Sequence, residues 1–111
     1  GSASLQAELP LRRGPVQPGD LLIQGGHPGH AVLVLDVAEQ GAGPGRRRSL
    51  LLGQSFMPAQ QFHVLRNLGD PTLSPWFDEA ALDTAQGLAT PEWLPFFRRD
   101  VRHFADDATS R

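Results

Sequence analysis

The sequence predicts a mainly β domain of the α+β class, a small antiparallel sheet of four to six strands curled into a partial barrel. Two observations carry this expectation. Gly and Pro supply 12 and 10 of the 111 residues, a content that favours many turns and little long helix. Apolar runs rich in strand-forming residues also recur between turn signals: LLIQ at 21–24, HAVLVLDVA at 30–38 and SLLLGQSF at 49–56.

Taken in order, residues 1–17 read as a tag scar, GSAS, followed by an irregular lead-in with Pro10, Pro15 and the Arg12-Arg13 pair. If GSAS is a cloning scar, an export signal or an upstream domain has been removed. A single β-rich domain is expected over 18–104 and a frayed tail over 105–111. PGD at 18–20 is turn chemistry leading into the first strand. GGHPG at 25–29 cannot be helical, because three glycines and a proline break it. HAVLVLDVA and SLLLGQSF form a hairpin whose long loop, EQGAGPGRRR, has a basic tip. QFHVLRN after Pro58 is a third strand of the same kind. A short helix is expected around Asp78–Leu82. Thr90, Pro91 and Glu92 resemble a cap and first turn of another, although Pro95 falls awkwardly within it. FFRRDVRHF fits either a helix, with Phe97, Val101 and Phe104 on one face, or a strand. Trp76, Phe77, Trp93, Phe96 and Phe97 are expected to fill the core.

Composition excludes several classes of function. A net charge of −2 argues against nucleic acid as a partner, since phosphates require a basic face. No apolar stretch approaches the roughly 18 residues of a membrane-spanning helix. The chain has no cysteine, which removes disulfides, thiolate metal sites and any thiol nucleophile from these residues. No cofactor is indicated, and the compartment stays open.

Two of the four histidines lie in GGHPGHAVL. With strand alternation, His30, Val32, Val34 and Asp36 share one face and Ala31, Leu33, Leu35 and Val37 the other. Both faces are apolar, so the strand is expected to be central and covered on both sides. If Val34 pairs with Leu50, His30 faces Gln54, whose amide would hold the imidazole in one tautomer. A one-residue slip would bring Ser55 instead. The plainer reading is that His30 hydrogen-bonds a loop carbonyl and does nothing else. A Ser55–His30–Asp36 hydrolase is disfavoured, because GQSFM lacks the second elbow glycine and Asp36 lies about 20 Å along the strand. A metal held by His27 and His30 with His63 or His103 is disfavoured too, since H-x-x-H in a Gly-Pro loop is not a ligand pattern. The Arg46–Arg48 run reads as a solvated hairpin tip, and Arg98, Arg99 and Arg102 as a polar face.

GDLLIQGGHPGHAVLVLDVA, LLLGQSFMPAQQFHVLRN, SPWF and TPEW together resemble the C-terminal half of a bacterial family, domain of unknown function 4846, over roughly residues 18–104. That family is similar in turn to NlpC-type papain-like cysteine peptidases and amidases. In that fold a helix bearing the nucleophilic cysteine packs on a small barrel. The resemblance implies that this chain is the barrel half, with His30 as the base that activates the thiol and Gln54 as the orienting residue. It further implies that the cysteine lies on an upstream half, so these residues alone are inactive, and that any substrate is a peptide or cell-wall-derived amide. The Gly25, Gly26 and Gly29 loop would keep the site open, with His27 as loop decoration or a substrate contact. The alternative is a non-catalytic binding or scaffold module, in which GGHPG, Ser55 and Phe56 line a ligand groove. A barrel without its helix would present an apolar face to an upstream half or to a second copy.

Overall fold

Among the described residues six strands form one antiparallel sheet: β1 (Leu21–Gln24), β2 (His30–Gln40), β3 (Arg47–Ser55), β4 (Phe62–Val64), β5 (Trp76–Asp78) and β6 (Val101–Arg102). The computed structural model describes residues 9–25, 30–55 and 62–103. Across the sheet the order is β4-β3-β2-β1-β6, and β5 pairs with β3 beside β4. β4 takes the Gly53–Ser55 end of that strand edge and β5 the Ser49–Leu51 end. The mainly β, antiparallel expectation therefore holds. The curled partial barrel does not, because the sheet is open and its end strands, β4 and β6, do not meet. Among the described residues no helix is long and apolar enough to cross a membrane.

The β2–β3 hairpin is paired two residues away from the expected register on the His30 side of a bulge and three residues away beyond it. Val34 faces Leu52 and Leu33 faces Gly53; beyond a bulge at Leu35, Asp36 faces Leu51 and Val37 faces Leu50. Strict alternation would have set the Asp36 carboxylate on the core face with Val32 and Val34. The extra residue turns Asp36 out to solvent and packs Val37 against the core instead. Burial thus selects the bulge: desolvating an unpaired carboxylate costs more than one disrupted ladder position.

Leu22, Val32, Val34, Leu50 and Leu52 project from one face into the core, where Val16, Leu65, Phe77, Leu82, Leu88, Phe96 and Val101 meet them. The cover comes from loops and short turns. On the opposite face Ile23 is buried, but Ala31 is exposed and Leu33 and Leu35 are half-buried, so β2 is not covered on both sides. Of the aromatics, Phe77 and Phe96 fill the core, whereas Trp76 and Phe97 are half-buried and Trp93 is exposed.

The short helix expected near Asp78–Leu82 is a 3-10 helix over Glu79–Asp83, capped by the Asp78 carboxylate, which accepts from Ala80 N at 3.0 Å. FFRRDVRHF takes its strand alternative, a 3-10 turn at Arg98–Asp100 followed by β6. No helix forms after Thr90. Pro95 disfavours helical backbone at Leu94 and removes an N–H, and the segment instead turns sharply, with Glu92 at φ 61°.

Candidate functional site

His30 opens β2 and pairs with Gln24, the last residue of β1. Its imidazole lies in a cleft of about 330 Å³ lined by His30, Gln54, Leu65, Pro91, Glu92 and Trp93. The two-residue register shift explains why Gln54 is still there. Because side chains alternate with a period of two, an error of two residues keeps the face, and the register sets Gln54 level with Val32. In the next strand His63 stands opposite Gln54 and is exposed.

The imidazole stacks on the Trp93 indole, with centroids 4.3 Å apart and planes 21° from parallel; Phe96 lies at 6.0 Å. Its Nε2 is buried and has no hydrogen-bond partner among the described residues. Gln54 shares the cleft but makes no hydrogen bond to it among the described residues. Burial pushes the His30 pKa below its ordinary 6.5, which keeps the ring neutral at neutral pH. A neutral ring with a desolvated, unanswered nitrogen is able to accept a proton or bind a polar group.

Of the other candidate residues, Gly25 follows β1 with φ 79°, a left-handed conformation that favours glycine. Ser55 ends β3 opposite Phe62. Gly26, His27, Gly29 and Phe56 lie outside the described residues. Asp36 cannot orient His30, because it is exposed at the bulge and its Oδ1 accepts from Val37 N at 2.9 Å. No group of three His, Cys, Asp or Glu side chains able to hold a metal occurs among the described residues.

Sequence reasoning assigned Trp93 to the core and did not single out Leu65, Pro91 or Glu92 as part of a cleft. The signal was present in TPEWLP, where two prolines bracket an aromatic that no regular element would bury. The Arg46–Arg48 run also divides. Arg46 and Arg47 are exposed, whereas Arg48 turns inward to Glu79, at 2.6 Å, and to Glu39. Arg98 reaches inward as well, to Glu79 and Asp83, while Arg99 sits 4.7 Å over the Phe97 ring.

No curated protein and no solved structure matches the chain. The model of the family described as domain of unknown function (4846) matches residues 1–103, nearly the whole chain, and the chain belongs to that family.

Proposed function

We propose that the cleft at the start of β2 is the acid–base part of an NlpC-type, papain-like cysteine hydrolase site, with His30 as general base and Gln54 as the residue that orients it. The carrying observation is the buried, unpartnered Nε2 of His30 in a cleft shared with Gln54. Buried polar atoms are nearly always hydrogen-bonded, so one left open beside an amide marks a place for a further group. The neutral imidazole takes the proton of a thiol and the thiolate adds to an amide carbonyl; the proton passes to the amine nitrogen as the C–N bond breaks and leaves a thioester, which water then cleaves, giving its proton through the imidazole back to the thiolate. The thiol must come from outside these residues, which contain no cysteine. An upstream half of the same fold is the natural source, and a peptide or cell-wall-derived amide the substrate.

The absence of a thiol favours one second reading, a binding module in which the Trp93 ring and the Gln54 amide hold a ligand without chemistry. The test is the intact mass of the native protein from its source cells, with and without a thiol-alkylating reagent. A longer product that takes up the reagent, and loses amide hydrolysis on His30→Ala with its melting temperature unchanged, supports the hydrolase. A native product that matches this chain, or amide turnover by the cysteine-free chain itself, overturns the thiol mechanism.

A further inference from the structure

A hydrogen bond ordinarily fixes the rotation of a catalytic imidazole, and at His30 the Nε2 atom has none. We propose that Trp93, anchored through Gln24 to Asp100, is the positioning residue that fixes the plane of the His30 ring. The catalytic meaning of this inference rests on the reading of His30 given above; the geometry does not.

Trp93 is not held in place by burial alone. It is 37% exposed and its neighbour Leu94 69%, and both sit in a loop between Pro91 and Pro95. What holds it is a directional chain of hydrogen bonds. The indole Nε1 donates to Gln24 Oε1 at 2.8 Å. Gln24 Nε2 in turn donates to Asp100 Oδ2 at 3.1 Å and to the Pro95 carbonyl at 2.5 Å. Asp100 is buried, and the same Oδ2 accepts from Phe97 N at 2.8 Å.

The chemistry of the groups sets the polarity of this chain. The Pro95 carbonyl only accepts, so Gln24 must turn its amino group towards it and the neighbouring Asp100 oxygen. Its carbonyl then faces the indole, which can only donate. Reversing the amide would break both ends at once. Gln24 is also the cross-strand partner of His30. One backbone pair therefore delivers both the imidazole and the anchor of the ring stacked on it, and strand pairing sets their spacing. The left-handed backbone at Glu92, φ 61°, supplies the turn that carries Trp93 there. Such a conformation is strained for a non-glycine residue and persists where surrounding contacts impose it.

The test is the ring-current displacement of the His30 imidazole protons, measured by NMR on the full chain. In the wild type the stacked indole moves these resonances upfield. Trp93→Ala is expected to abolish that displacement. Gln24→Leu, which touches neither ring's chemistry, is expected to remove most of it and to expose the indole N–H to solvent exchange. Trp93→Phe keeps a ring but loses the anchor and should fall with Gln24→Leu. If Trp93→Ala fails to fold, the other two variants decide the question. His30 resonances in Gln24→Leu that coincide with the wild type overturn the anchor. A lowered melting temperature in Trp93→Ala with unmoved His30 resonances reduces Trp93 to packing. None of these readouts needs a thiol or a substrate, so failure of the hydrolase reading leaves them standing. Conversely, in a native hydrolase, wild-type kcat in Trp93→Ala alongside loss of turnover in His30→Ala removes Trp93 from the mechanism and leaves His30 in it.

Discussion

Two clefts of similar size, about 360 Å³ at Glu79 and about 330 Å³ at His30, differ in whether their buried polar atoms are answered among the described residues. At Glu79 both oxygens are engaged. Oε1 accepts from Arg48 Nε at 2.6 Å, and Oε2 from Arg98 Nη1 at 2.8 Å and Val16 N at 3.0 Å. Arg98 then closes on Asp83 through two bonds of 2.9 and 2.6 Å. At His30 a buried nitrogen has no partner among the described residues. Both groups have displaced pKa values, so displacement alone does not separate structure from function. Its cause does. Burial would raise the Glu79 pKa, but the hydrogen bonds from Arg98, Val16 and Arg48 outweigh it and hold the carboxyl below its usual range. His30 is displaced by burial with nothing to oppose it. The first cleft ties together the lead-in, β3 and two 3-10 turns; the second leaves the His30 nitrogen unanswered among the described residues.

Breaking the satisfied cleft should have the largest effect. Glu79→Ala leaves two guanidinium groups and the Val16 amide without their shared acceptor. Removing one partner of a buried ion pair costs about 3 to 5 kcal/mol. The partial exposure of Arg98, 34%, places the expected loss near the lower end, about 3 kcal/mol. Urea denaturation at neutral pH measures it. The sign of the pH dependence follows from the depressed carboxyl. Glu79 contributes its full stability above its ordinary 4.5, and that contribution is lost as pH falls below this value through the lower folded-state pKa. Glu79→Gln should therefore flatten the acid limb of the wild-type stability curve. An unchanged acid limb would mean that the ion-pair cluster is not what holds this side together.

Gly87→Ala should come next and should reach only the other cleft. Gly87 has φ 77°, and an added Cβ would lie 2.8 Å from the Phe96 carbonyl oxygen and 2.9 Å from the Phe97 ring. Just beyond it, Leu88 and Phe96 exchange two backbone hydrogen bonds of 2.8 and 2.9 Å, closing the loop that carries Trp93. Backbone strain and overpacking together give an expected loss of about 2 kcal/mol. Because the change lies at the root of that loop, tryptophan emission should shift as well. A stability loss without a change in emission would show that the loop is held by its Gln24 anchor and not by its closure.

How far this contrast was legible in the sequence depends on what each part rests on. β1, β2 and β3 were readable because their apolar runs are bounded by Gly and Pro, and the shared face of His30 and Gln54 followed from alternation. The register was not readable, since it depends on a bulge that exists to turn Asp36 away from the core. Nor was the Glu79 cluster. Its partners are Val16, Arg48 and Arg98, up to 63 positions away from it in the chain, and no local pattern marks a carboxylate as the shared acceptor of three donors. Trp93 was assigned to the core because large aromatics usually belong there; its place over His30 depends on a hydrogen-bond chain from Asp100, which is adjacent only after folding.

The smallest expected effect tests the contrast most directly. His30→Phe keeps an aromatic ring to stack on Trp93 and removes the buried nitrogen that has no partner. Leaving a buried polar atom unsatisfied costs about 1 to 3 kcal/mol, and the ring is only half-buried, so the variant should be neutral or more stable by up to about 1 kcal/mol. The pH dependence gives the sign a second reading. With the folded-state pKa of His30 below 6.5, the unfolded chain binds the extra proton first, so wild-type stability falls as pH drops from 6.5 towards the folded value. Phenylalanine has no such proton, and the difference between the two unfolding free energies should widen as pH falls across that window and stay constant above it. A loss of more than about 1 kcal/mol with no pH dependence would mean that the nitrogen makes a bond worth that much. His30 would then belong with Glu79 as a structural group, and the case for an open site at the start of β2 would fail with it.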